Sequence, residues 1–241
     1  MVVLPAYREF RPPLGLARTV ACVWENEATE ERAQLVVPDG CVDLIWLAGR
    51  ELVIAGADTG PRTAALPAGT CTSGVRLRPG AAGAFLGLPA SELRDLQVPT
   101  PDVWDGRFDA LQESLPGAEP SERLALLADA VGGAHSAPDP LVAAAARRLS
   151  AHTARVAGVA ADLGVSERQL HRRTVTAVGY GPKLLARVAR LRRLVALGDA
   201  PLVSRALDAG YASQAHMSDE VRRLTGLTPA RFLGDATITA A

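Results

Sequence analysis

The sequence predicts an α+β protein: a β-rich N-terminal domain over residues 1–131, a linker over 132–140, and an all-α domain over 141–241 built around two helix-turn-helix units. Three observations predict it. Apolar residues come in short runs broken by turn signals up to about residue 80 and in helical stripes afterwards. Charge is divided: residues 1–140 hold 11 Arg against 19 Asp and Glu, while residues 141–241 hold 14 Arg and one Lys against seven carboxylates. The helical half also repeats itself at a fixed spacing.

In the first domain, "QLVVPDGCVDLIWLA" (34–48) has an apolar run, a Pro-Asp-Gly turn and a second run. Pro38 pre-sets φ and Gly40 can take a positive φ, so this is a turn between strands. "ELVIAGA" (51–57) and "TCTSGVRLRPG" (70–80) read as further strands; in the latter Val75 and Leu77 alternate with Arg76 and Arg78, the period of a half-buried strand. "PGAAGAFLGLPASELRDL" (79–96) turns helical, with Pro89 and Ser91 marking a fresh start. "DVWDGRFDALQESL" and "SERLALLADAV" continue as helices, the second with Leu124, Leu127 and Val131 on one face. "GGAHSAPDP" (132–140) is dense in Gly, Pro, Ser and Asp and reads as the linker.

The zero net charge therefore conceals an acidic half and a basic half with different partners. A basic domain of about 100 residues has the electrostatic footprint of a phosphate-backbone binder, with an Arg-rich solvated face as the plain alternative. No run of about 18 apolar residues occurs, so a membrane partner is not expected. The start "MVVLPAYREFRPP" lacks a signal-peptide pattern, and the expected location is the cytoplasm. Cys22, Cys41 and Cys71 are too far apart for a CxxC pair and read as reduced, buried thiols, although a three-thiolate site assembled in space stays open. The four His, His135, His152, His171 and His216, form no i, i+4 pair, so neither metal nor cofactor is expected.

The repeat takes Ser166 and Ser213 as origins, 47 residues apart. Leu170 and Met217 stand four residues on, Gly179 and Gly226 thirteen on, Pro182 and Pro229 sixteen on; Gly164 and Gly210 precede the two Ser. Each unit reads as helix, glycine turn, Ser-capped helix, glycine stop and Pro start. Such a pair of helices can place its second helix in the major groove. "GPKLLARVARLRRLVALGD" (181–199) lies between the units as a helix of about 18 residues, about 27 Å long, against about 34 Å for a turn of DNA.

From about Leu141 to Leu233 the chain resembles the DNA-binding domain of AraC-type transcriptional regulators, a seven-helix unit with two helix-turn-helix motifs. The resemblance rests on "VAADLGVSERQLHRR" and "ALDAGYASQAHMSDEVRRLTGLTPARFL". "PDGCVDLIW" (38–46) and "GVRLRPGAA" (74–82) are similar to an N-terminal domain found on some members of that family. The resemblance implies double-stranded DNA as partner, RNA polymerase as a second partner, a small-molecule effector at the N-terminal domain, and a homodimer through residues 1–140.

On the first reading helix, Leu170 and Thr174 should face the core, which leaves Arg168, His171 and Arg172 outward with Arg173 at the edge. The resemblance points to Arg168, His171 and Arg172 as base-reading positions; a bidentate Arg–guanine pair discriminates by about 1–3 kcal/mol. On the second, the outward positions are Gln214, Ala215, Ser218 and Asp219, with Glu220 beside them on the same outer face. The family commonly shows Arg where Asp219 stands. The first helix is therefore expected to supply most base-specific affinity, and the second to dock through Arg222, Arg223 and the helix N-terminus at Ser213. Lys183 is a further phosphate candidate. Cys41, Asp43, Trp46 and Arg76 are the candidates for an effector pocket among the strands. Two alternatives remain open at this level: a thiol-dependent DNA alkyl-transfer repair protein carrying the same module, and a protein-interaction module that has lost DNA binding. No catalytic motif is present, and an enzyme is not expected.

Overall fold

A computed structural model of the chain describes residues 7–133, 137–152 and 154–234. Residues 134–136 of the expected linker, including His135, lie outside these. Eight strands come first: β1 Tyr7–Phe10, β2 Val20–Ala28, β3 Arg32–Val36, β4 Val42–Leu47, β5 Glu51–Ala55, β6 Arg62–Leu66, β7 Thr70–Leu77 and β8 Gln97–Pro99. They form an antiparallel six-stranded sheet in the order β1-β2-β7-β4-β5-β8 and a two-stranded sheet of β3 and β6. The Pro38–Cys41 turn thus does not join a hairpin. It carries the chain from the small sheet to the large one, with Gly40 at φ +81° as the turn requires.

Because side chains alternate along a strand, the large sheet has two distinct faces. Leu44, Trp46, Leu52, Ile54, Val75 and Leu77 pack into the main core beneath the helices. Cys22, Trp24, Ile45, Val53 and Ala55 form a second apolar layer on the other face, which the small sheet covers. This second layer corrects one expectation: Arg76 alternates with Val75 and Leu77, yet it is 8% exposed rather than solvated, because both faces of β7 are covered.

The helices α1 Ala82–Leu86, α2 Asp109–Ser114 and α3 Pro120–Gly132 close the N-terminal half. Helix formation over 102–115 is shorter than the sequence pattern suggests, since Gly106 takes φ +62° and a 3-10 turn over Leu115–Gly117, with Pro116 inside it, follows α2. The C-terminal half comprises α4 Pro140–Leu149, α5 Val156–Asp162, α6 Glu167–Val178, α7 Pro182–Ala196, α8 Leu202–Asp208, α9 Gln214–Thr225 and α10 Pro229–Gly234. Its apolar stripes join the main core without a break, so Val142, Leu170, Leu185 and Leu191 belong to the same cluster as Leu44 and Phe85. α1 and the 3-10 turn Ala90–Leu93 pack directly on α6.

Candidate nucleic-acid interface and ligand cavity

The first reading unit is α5, a turn through Gly164 at φ +68°, and α6. Ser166 caps α6 by accepting from the Gln169 N–H, and the Gln169 side chain returns to the Ser166 N–H at 2.9 Å. These bonds satisfy two donors that a helix start leaves open and fix where the helix begins. Leu170 and Thr174 are fully buried, and the Thr174 hydroxyl donates to the Leu170 carbonyl at 2.7 Å. The opposite face carries Arg168, His171 and Arg172, all exposed. The His171 ring rests on Gly181, where an added Cβ would fall 2.6 Å from it, so glycine makes room for the imidazole.

Arg173 is engaged elsewhere. Its Nε and Nη2 donate to Asp139 at 2.8 and 2.7 Å, while Asp139 also caps α4 by accepting from the Leu141 and Val142 N–H groups. Burial pushes the Asp139 carboxyl up, but these bonds outweigh it and hold its pKa below the ordinary value. Arg173 therefore ties the reading helix to the end of the linker.

The second unit, α8 and α9 around Gly210 at φ +91°, has the same frame. Ser213 accepts from the His216 N–H at 3.1 Å, and Met217 is fully buried like Leu170. Gln214, Ala215, Asp219, Arg222 and Arg223 are exposed, and Ser218 is partly so, with its hydroxyl donating to the Gln214 carbonyl at 2.9 Å. Glu220 is a correction: it points inward, 6% exposed, against Arg190 at 2.9 Å, Arg187 at 3.2 Å and His216 at 3.4 Å. The spacing carried this signal, since 220 stands three after Met217 and four before Leu224 on the buried stripe. Arg190 also lies over the Tyr211 ring. α7 thus binds the second unit through charge. It spans 15 residues, or about 22 Å, shorter than expected from sequence. Lys183 at its start is exposed and shares a groove with Arg168 and His171.

Between the two sheets lies a cavity of about 90 Å³. Of the four candidate residues, Cys41, Asp43 and Arg76 line it, whereas Trp46 does not. Strand alternation sends Trp46 to the main core, 1% exposed. Arg76 Nε lies 3.1 Å from Asp43 and 3.3 Å from Asp39, and Nη1 lies 3.3 Å from Glu9. Burial lowers the Arg76 pKa, but Asp43 and Asp39 more than offset this and raise it, so the guanidinium stays charged. Burial raises the Asp43 carboxyl, with Arg76 opposing.

Trp24 donates from Nε1 to Asp43 at 3.2 Å and stacks beside Tyr7 with ring centroids 5.7 Å apart. Gly74 permits this, because a Cβ there would sit 2.5 Å from the Trp24 indole. Sequence reasoning missed Tyr7, Trp24, Asp39, Asp58 and Arg62 in this wall, for they come from five separate segments. The readable signal was the pairing of two charged strand positions, Asp43 and Arg76, flanked by apolar neighbours. Burial raises the Cys22 thiol to about 12 and the Cys41 thiol well above its ordinary value, so neither is a ready thiolate. Among the described residues, no group of three or more His, Cys, Asp or Glu could hold a metal ion, and no helix is long and apolar enough to cross a membrane.

Asp39 connects the cavity with the helical half. It lines the cavity and also a cleft formed by Leu185, Val188 and Arg192 of α7. A Cβ on neighbouring Gly40 would stand 3.0 Å from the Tyr180 hydroxyl and 3.2 Å from Leu185. That hydroxyl is buried without a hydrogen-bond partner among the described residues.

Residues 143–235 match the model of a helix-turn-helix domain, and residues 8–99 match a domain of unknown function, DUF6597. No curated protein matches the chain. Among solved structures, the C-terminal domain of AraT, a response regulator from Geobacillus stearothermophilus, aligns at 22% identity over 42% of this chain and 90% of its own, with a TM-score of 0.38. ToxT from Vibrio cholerae aligns at 11% identity over 98% of this chain and 100% of its own, with a TM-score of 0.45. ToxT bound to an unsaturated fatty acid aligns at 13% identity over 91% and 95%, with a TM-score of 0.44.

Proposed function

We propose that this chain, in which an AraC-type helix-turn-helix domain follows a domain of unknown function, is a one-component, sequence-specific transcription regulator. The observation that supports this best is the duplicated Ser-capped helix, whose first copy presents Arg168, His171 and Arg172 to solvent. In this reading those three side chains enter the major groove and read base edges, Arg through paired donors to guanine O6 and N7. α9 sits in a neighbouring groove and positions the protein. Arg222, Arg223 and Lys183 take phosphates, and the open N–H groups after Ser213 and Gln214 add a further anion contact. Asp219, and Ser218 beside it, are the positions at which α9 could read bases, a carboxylate accepting from cytosine N4.

The effector site is the cavity between the sheets, with Asp43, Arg76 and Cys41 in its wall. A ligand against Asp39 shifts the Pro38–Cys41 turn, and the turn bears on Tyr180 and Leu185. Tyr180 stands at the junction of α6 and α7, so displacement there alters how the two reading helices are held relative to each other. RNA polymerase contact and dimerisation through the N-terminal half complete the proposal for an activator or a repressor of this type.

A gel shift with the DNA upstream of the chain's own reading frame, at two salt concentrations, tests the reading. Specific binding that weakens steeply with salt supports it. No binding at low salt, with or without extracts containing effectors, overturns it.

A further inference from the structure

We propose that the cavity between the sheets binds a small organic cation, an ammonium group on an aromatic or alicyclic body, seated between Asp39 and Asp43 and stacked on Trp24. This rests on the reading of that cavity as the effector site. The charge balance of the wall points this way. Arg76 is shared by Asp43, Asp39 and Glu9, and Arg62 is engaged by Asp58 at 3.4 Å. Three carboxylates, Asp39, Asp43 and Asp58, thus line the cavity against two guanidiniums, Arg62 and Arg76, both already engaged, and Glu9 bears on Arg76 from outside the lining. An anionic ligand would have to displace a carboxylate from Arg76. A cation meets carboxylate oxygens that have more negative charge than their partners neutralise.

The rest of the wall selects the body that carries the charge. Tyr7 and Trp24 line the cavity together with Asp43, so a cation there gains from an aromatic ring as well as from the carboxylate. Ile45, Leu47 and Ala55 add apolar surface on the same sheet face as Trp24, and Leu66 adds it from the small sheet. Such a lining disfavours a hydrated inorganic ion, which needs oxygen ligands on several sides.

The experiment titrates the full chain with phenethylammonium, phenethyl alcohol and hydrocinnamate, which share an arm and differ in charge. Binding is read by calorimetry and by the change in tryptophan emission that a Trp24→Phe variant loses. The ammonium is expected to bind about tenfold more tightly than the alcohol, or better, and hydrocinnamate more weakly than either. Asp39→Asn should remove most of the preference for the ammonium over the alcohol. Hydrocinnamate binding as well as the ammonium, no ammonium binding at millimolar concentration, or an unchanged preference in Asp39→Asn each overturns the proposal. Repeating the gel shift with each compound separates the two readings. A cation that fills the cavity without changing DNA affinity overturns the effector role and leaves the ligand class standing. An anion that fills it and changes DNA affinity does the reverse.

Discussion

The two reading units share one backbone plan and differ in what their side chains are used for. α6 shows Arg168, His171 and Arg172 to solvent, ties Arg173 to Asp139, and packs its inner side on α1 and the Ala90–Leu93 turn. α9 spends its one buried carboxylate, Glu220, on Arg187 and Arg190 of α7, and shows Asp219 to solvent. The neighbouring residues 219 and 220 therefore face different surroundings, the first solvent and the second α7. A helix can carry acid beside DNA when the acid that looks most awkward is turned inward.

The largest effect should come from Glu220→Ala. Removing a buried carboxylate leaves two guanidiniums facing each other, and losses of this kind run to about 3–5 kcal/mol; urea denaturation measures it. A shift below about 1 kcal/mol would mean that α7 does not depend on this network. Next is Arg172→Ala, which should reduce affinity for the specific site about tenfold to a hundredfold with little change in stability, read by fluorescence anisotropy. Asp219→Ala serves as its partner: if it abolishes specific binding while Arg172→Ala does not, the ranking of the two units is reversed.

Smaller still is Asp139→Asn. The Asp139 pKa is lowered in the folded chain, so its stabilisation is present above the ordinary carboxylate range and is lost as pH falls through the lowered value. Arg173 is well exposed, which limits the ion pair to about 1 kcal/mol or less. Thermal melts across acid pH should show the wild-type advantage disappear and the Asn variant lack it. The least effect is expected from Asp219→Arg, which should tighten binding to random DNA and steepen the salt dependence by about one phosphate contact.

The helical half was legible because its signals are local. Ser166 and Ser213 cap helices, Gly179 and Gly226 stop them in the left-handed conformation, and Leu170 and Met217 mark the core face. The inward turn of Glu220 was readable from its spacing to Met217 and Leu224, but its partners, Arg187 and Arg190, come from another helix and were not. The sheet was less readable. β2 pairs with β7 and β3 with β6, across intervals that no local pattern encodes. Arg76 looked like the wet side of a strand, since alternation reports that two faces differ but not that both are covered. Trp46 and Arg76 are both on segments singled out in advance, yet only strand register decides which of them meets the cavity.

The main core runs without interruption from Leu44 and Phe85 into Leu170, Leu185 and Leu191, and this has a consequence for cooperativity. Composition marks a boundary at the linker, but the boundary is not a thermodynamic one. Gly40, Gly83 and Gly179 sit where backbone and side chains from the two halves meet at van der Waals distance, so neither half can unfold and leave the other with its apolar surface covered. The full chain should melt in a single transition. A fragment beginning at residue 141 would expose Tyr180 and Leu185, and its instability would be the measure of how much of the helix-turn-helix half is folded by the N-terminal half.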